Sequence, residues 1–367
     1  MKIHEIHIGK ISIPLKKPFI TALRRVDSAE DIVVKVVADS GEVGFGNAPP
    51  TAVITGDSQD SVVAAIRDVF GPRLLGRDVE DLESISSLLD RGMLHNHSAK
   101  AALDIAVHDL FGQRYGLPLS RFFGGFRREL ETDLTISLNP PEEMVRDALA
   151  AVAEGYSALK LKVGGDLALD FQRVAAIRAA VGADVKIRLD ANQGWMPKEA
   201  VRIIRRFESD GLGIELIEQP VKAHDVEGLK YVTERVETDI MADESAFGPR
   251  EVMRLLSARA CDLINIKLMK AGGFHQAQKI ASFAETMDVQ CMMGCMLESK
   301  VGITAAACFA AGKQIVTRAD LDAASLLAED PVAGGVRFEG NRLLLSDAPG
   351  LGITDVSGWT PIVQIRQ

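Results

Sequence analysis

Three short apolar runs in the middle of the chain each stop at a carboxylate. They are Ile187-Arg188-Leu189-Asp190, Ile214-Glu215-Leu216-Ile217-Glu218 and Asp239-Ile240-Met241-Ala242-Asp243. The acids recur at intervals of 28 and 25 residues, close to one strand-loop-helix-loop unit. If successive units form neighbouring parallel strands, the three carboxylates meet on one rim. Three ionised acids do not crowd together unless a cation holds them. All-oxygen ligation by Asp190, Glu218 and Asp243 selects a hard divalent ion, Mg²⁺ ahead of zinc.

The same rim rule applied to the other apolar runs gathers more chemistry. Lys160 and Lys162 end a second strand, Lys267 follows a sixth, Glu298 lies beyond a seventh, and Asp320 and Asp322 follow an eighth. Any one charged strand end reads most simply as a solvated loop residue; a run of them on consecutive strands does not. The second and sixth of eight strands are opposite, so Lys162 and Lys267 would face each other with the acids on the arc between them. A carboxylate substrate bound to Mg²⁺ has its α-proton acidified, because the ion stabilises the enediolate left by deprotonation. A lysine base must be neutral, and both a second ammonium and a divalent cation nearby lower its pKa. Lys160, two residues from Lys162, shares its face of an extended strand. A proton removed by one lysine and returned by the other gives racemisation or epimerisation.

These residues need a scaffold that alternates strands and helices. Strand starts fall near Leu134, Ala158, Val185, Ile214, Asp239, Asp262, Val289 and Gln314, with helical patterns such as 168–181 and 197–210 between them. Eight strands with helical crossovers predict a closed α/β barrel, with a doubly wound open sheet as the rival. Ahead of it, residues 10–14 and 31–38 read as antiparallel strands, and Asp39-Ser40-Gly41 as a hairpin turn. A polar loop is expected over 18–29, carrying Arg24 and Arg25, and a second from Asn47 through Ile54 to Asp57. Helical periodicity from Ser58 to Tyr115 completes a small α+β domain. The expected division is a capping domain over 1–125, the barrel over 126–325, and a segment over 326–367 returning to the cap.

Composition excludes several classes. A net charge of −9 argues against nucleic acid or an anionic membrane as partner. The N-terminus lacks the apolar region of a signal peptide, and the most apolar stretch, near 301–311, is too short to cross a bilayer. Four scattered cysteines, Cys261, Cys291, Cys295 and Cys308, suit reduced thiols in the cytoplasm. His108 fits a satisfied core position, and Trp195 a loop filler.

Lys160-Leu161-Lys162, Asp190-Ala191-Asn192, Glu218-Gln219-Pro220, Ala242-Asp243-Glu244-Ser245 and Asn265-Ile266-Lys267 together resemble the enolase superfamily, muconate-lactonizing subgroup. The resemblance spans nearly the whole chain. It implies a modified (β/α)₇β TIM-type barrel under an α+β capping domain, Mg²⁺ on Asp190, Glu218 and Asp243, and Lys162 and Lys267 as the acid/base pair. Arg318-Ala319-Asp320-Leu321-Asp322 resembles the Asp-x-Asp element with which dipeptide epimerases bind an α-ammonium. Thr21-Ala22-Leu23-Arg24 resembles the cap loop of L-Ala-D/L-Glu epimerases, where the arginine meets the substrate's acidic side chain. The expected substrate-binding set is Arg24, Ile54, Thr135, Lys160, Glu298, Asp320 and Asp322, with Lys160 also assisting catalysis and Glu244 supporting the ligands. Asn47 departs from the pattern, since many relatives carry glutamate there. The expected activity is epimerisation at the C-terminal residue of a dipeptide by a homo-oligomeric enzyme. An N-acylamino-acid racemase, a cycloisomerase and a Schiff-base lyase using Lys267 remain open alternatives.

Overall fold

The structure is a computed structural model that describes residues 1–366. Its N-terminal sheet is antiparallel, with β1 (Ile3–Ile20), β2 (Arg25–Ala38) and β3 (Val43–Ala48) in sequence order. The expected long loop over 18–29 is instead paired strand: Phe19 faces Val26 and Ile20 faces Arg25, leaving only Thr21–Arg24 as the turn. The two prolines there, Pro14 and Pro18, flank a break in register, which absorbs their missing donors. Strand β3 lies hard against the helix His97–Arg114; a Cβ at Gly46 would sit 1.9 Å from the Ala102 carbonyl oxygen. This explains two glycines, Gly44 and Gly46, in a strand that would otherwise favour branched side chains.

Eight parallel strands follow: β4 (Leu134–Ile136), β5 (Ala158–Lys162), β6 (Lys186–Asp190), β7 (Ile214–Glu218), β8 (Asp239–Ala242), β9 (Leu263–Ile266), β10 (Cys291–Gly294) and β11 (Val316–Asp320). Each pairs with its sequence neighbours, so the order is that of a barrel rather than of a doubly wound sheet. The strands are buried on both faces, as crossover helices require. Pro197 begins one such helix, Pro197–Ser209, where its missing N–H costs nothing. Inside the barrel, Leu216, Met241, Leu263 and Met292 pack beneath the rim.

The chain then returns to the first sheet. The last strand, β12 (Thr360–Arg366), pairs antiparallel with β1. His108 behaves as a core residue: its Nδ1 lies 2.8 Å from the Asp104 carbonyl, among the rings of Phe122, Phe123 and Phe274. Among the described residues no helix is long and apolar enough to cross a membrane.

Candidate active site

Register places the carboxylates side by side. Lys162 pairs with Asp190 across β5 and β6, and Asp190 with Glu218 across β6 and β7. Asp243 lies just past β8. All three acids are buried, and four ammonium groups meet them. Lys162 Nζ donates to Asp190 Oδ2 at 2.6 Å, and Lys267 Nζ to Asp243 Oδ2 at 2.8 Å. Lys160 Nζ lies 2.7 Å from Asp320, 2.7 Å from Glu218 and 3.1 Å from Asp190. Lys270 Nζ is 2.6 Å from Asp243 Oδ1 and donates to the Asp243 and Asn265 carbonyls.

Charge separates the three acids. Burial disfavours the Asp190 carboxylate, yet Lys162 and Lys160 outweigh it and hold its pKa down at about 2. Asp243, between Lys267 and Lys270, is also held well below the usual carboxylate range despite its burial. Glu218 moves the other way, to about 8, because burial and the Asp190 charge oppose its ionisation. Lys160 is buried too, but Asp320, Glu218 and Asp190 more than compensate and push its pKa well up.

The donor set suits a hard cation. Glu218 Oε2 and Asp243 Oδ1 touch ammonium nitrogens yet accept no well-directed hydrogen bond, and Glu244 Oε2 and Asn265 Oδ1 are likewise unpartnered. Among the described residues no three acid, His or Cys side chains converge tightly enough to fix a cation position unaided. Ammonium groups stand among them. Oxygens of this kind and number nevertheless fit Mg²⁺, which carries part of its own water shell.

Supporting residues lock the rim. Asn192, two residues after Asp190, and Gln219, directly after Glu218, adopt left-handed backbone (φ 41° and 36°). Gln219 Oε1 accepts from the Asp243 and Ser245 amides, both at 3.0 Å, tying the fourth loop to the fifth. Glu244 Oε1 accepts from Asn192 Nδ2 at 3.3 Å. Trp195 does more than fill a loop: its Nε1 donates to Asp170 Oδ2, which also accepts from the Gly164 amide beyond β5.

A cavity of about 60 Å³ lies between rim and cap. Lys160, Lys162, Lys267, Asp320 and Asp322 form its floor, and Arg24, Ile54 and Phe19 its roof. Arg24 is half-buried in the β1–β2 turn, where Thr21 Oγ1 accepts from the amides of Leu23 and Arg24. No ion pair to Arg24 exists among the described residues, whereas exposed Arg25 pairs with Asp27.

Two expected substrate contacts sit one step back. Thr135 lies outside this cavity and donates its amide to Asp322 Oδ2 at 2.6 Å. That bond also takes Asp322 away from capping the helical turn Ala323–Leu326. The Glu298 carboxylate turns from the cavity, accepting from the Met296 amide at 2.9 Å and from Asn47 Nδ2 at 3.0 Å. Asn47 also donates to Asp31 Oδ2 at 2.9 Å, so it bridges two buried acids. A glutamate there would set a third acid against them. Sequence reasoning passed over Cys295, Met296 and Leu297, which line the cavity after β10, although the strand-end rule singles out that position.

Fold and rim together define an enolase-type barrel enzyme with a separate cap. Residues 143–355 match the family described as enolase C-terminal domain-like, and residues 3–124 match the mandelate racemase/muconate lactonizing enzyme N-terminal domain. The chain belongs to this family. It is 52% identical over 357 residues to the L-Ala-D/L-Glu epimerase of Clostridium acetobutylicum, covering 97% of this chain and 100% of that one. A substrate-liganded complex of the L-Ala-D/L-Glu epimerase from Bacillus subtilis superposes with a TM-score of 0.96 at 51% identity, covering 97% and 100% of the two chains. A dipeptide epimerase from Enterococcus faecalis, complexed with Mg and L-Leu-L-Tyr, gives 0.94 at 44% identity, with the same coverage. All three are epimerases, so the cycloisomerase, N-acylamino-acid racemase and lyase alternatives are not favoured.

Proposed function

We propose that this chain is a Mg²⁺-dependent dipeptide epimerase that inverts the α-carbon of the C-terminal residue, with L-Ala-D/L-Glu as its substrate pair. The observation that carries the choice of substrate is Arg24, a half-buried guanidinium facing the cavity with no carboxylate of its own. A glutamate side chain supplies the missing partner in bidentate geometry. Asp320 and Asp322, which line the same cavity, take the substrate's α-ammonium.

Asp190, Glu218 and Asp243 would hold Mg²⁺, which when bound offsets negative charge on the substrate's α-carboxylate and so acidifies the neighbouring C–H. Lys162 and Lys267 approach the α-carbon from opposite sides of the carboxylate row. One, neutral, accepts the α-proton; the other, as ammonium, delivers a proton to the opposite face. One proton leaves, one arrives, and only configuration changes. Lys160, buried among acids and held protonated, faces the charge that builds on the substrate carboxylate.

Proton NMR of L-Ala-L-Glu with enzyme and Mg²⁺ in D₂O tests this. Loss of the glutamate α-proton signal together with a new diastereomer is expected. Exchange only with apolar or cationic dipeptides would remove Arg24 from its role, and no exchange with any dipeptide would reject the class. Buried, unpaired Cys261, Cys291 and Cys308 support a reducing, cytoplasmic setting.

A further inference from the structure

The barrel is not closed by a strand ladder: β11 and β4 are the two ends of the sheet order. What crosses this seam is almost entirely side chain. Thr132 Oγ1 accepts from the Leu321 amide at 2.8 Å and Asp322 Oδ2 from the Thr135 amide at 2.6 Å; among the described residues only one long backbone contact, Asp133 amide to Ala319 carbonyl at 3.4 Å, joins them. Arg188, on β6 and 6% exposed, reaches through the barrel interior to the same place. Its Nη1 donates to Asp133 Oδ2 at 2.8 Å and to the Ala319 carbonyl at 3.3 Å, while its Nε donates to Glu215 Oε2 at 2.7 Å. Arg318 on β11 holds the other oxygen of Glu215 at 3.0 Å.

The geometry assigns Arg188 and Asp133 as positioning residues for the ammonium subsite. The Ala319 carbonyl belongs to the peptide unit entering Asp320, and the Leu321 amide to the unit leaving it. Both peptide groups that flank Asp320 are therefore gripped from across the seam, one through Arg188 and Asp133 and the other through Thr132. In a fully laddered barrel, backbone bonds would do this. The β10 ladder and Lys160 hold Asp320 from the other side; on the open side a buried ion pair takes the place of a ladder in setting where Asp320 stands, and with it the spacing to Asp322. Asp133 Oδ1 is buried without a partner on the side away from the ion pair. Burial and the charges of Asp320 and Asp322 push the Asp133 carboxyl up, and Arg188 opposes them.

The role rests on the dipeptide reading, and the test separates the two. Replacing Arg188 alone strands a buried acid and endangers folding, whereas replacing both partners of a buried pair by apolar residues of similar size is tolerated. The variant is Arg188→Met with Asp133→Leu, in which Glu215 keeps Arg318. Substrates are L-Ala-L-Glu and propionyl-L-glutamate, which lacks only the ammonium. A positioning role predicts that the ratio of their kcat/KM values falls about tenfold, mostly through KM for the dipeptide, as for one weakened charged hydrogen bond. A general loosening of the barrel would lower both substrates equally and leave the ratio unchanged, which overturns the assignment. Inactivity of the unmodified enzyme on every dipeptide would instead reject the substrate reading, and the subsite role with it. Amide exchange over 316–323 then reads the seam alone: faster exchange at Leu321 in the double variant supports the stitch, and unchanged protection overturns it.

Discussion

Lys162 and Lys267 grip opposite ends of one carboxylate row, Lys162 at Asp190 and Lys267 at Asp243, from strands on opposite sides of the barrel. On the proposed mechanism, each lysine would address its own face of a substrate lying across the row. Lys162→Ala and Lys267→Ala should each reduce epimerisation by about 10³-fold, the scale of losing a general acid or base. Each variant should still exchange the α-proton of one epimer with solvent, and the two should retain opposite epimers. Loss of exchange from both epimers in both variants would argue for a single shared base.

Chelation should abolish exchange as well as inversion, since the α-proton is not acidic enough without a cation on the substrate carboxylate. Adding Mg²⁺ back should restore both. Asp243→Asn should shift the Mg²⁺ concentration needed for half-activity upward by an order of magnitude or more, measured by titration of the chelated enzyme; an unchanged requirement would remove Asp243 from the ligand set.

Arg24→Met keeps the apolar stem and deletes the charge. The kcat/KM on L-Ala-L-Glu should fall by about 10- to 100-fold, as for a charged hydrogen bond, while an L-Ala-L-Leu control changes little. Equal losses on both dipeptides would mean that the turn is structural.

Burial holds the Glu298 pKa at about 8 against an ordinary 4.5; the Asp31 charge adds to it, while the Asn47 and Met296 hydrogen bonds and the Lys267 charge oppose it. The folded state therefore keeps a proton that the unfolded chain has released. Its contribution is full below pH 4.5 and is lost as pH rises through about 8. Asp31, raised to about 6 by burial, acts in the same direction over a lower window. Melting temperatures should decline from pH 5 to 9, and Glu298→Gln, permanently neutral, should flatten the upper part of that decline. A variant with the same slope as the parent would place the titration elsewhere.

The rim was readable because barrel strands buried on both faces are mostly apolar until they end. Asp190, Glu218 and Asp243 stand out for that reason, and adjacent parallel strands then bring them into line. The cap was harder. Pro18 and two arginines read as loop, but a break in register lets β1 and β2 run on to a four-residue turn. Glu298 obeyed the strand-end rule by position, yet its carboxylate faces Asn47, 251 residues away in sequence. No local pattern announces such a bridge. Arg188 was hidden differently: a lone charge between apolar residues on a strand looks like a solvated edge, and only the barrel's interior reveals its partners.

On the proposed function, the β1–β2 turn would serve this enzyme as an exchangeable reading head. The proposed acid/base lysines are rooted in the barrel, where moving one would disturb its neighbours through shared charge. Arg24 hangs from a short arm of the cap and touches none of them by an ion pair. A different acidic or neutral side chain at the inverted residue would then call for rewriting the head, with the inversion chemistry inherited unaltered.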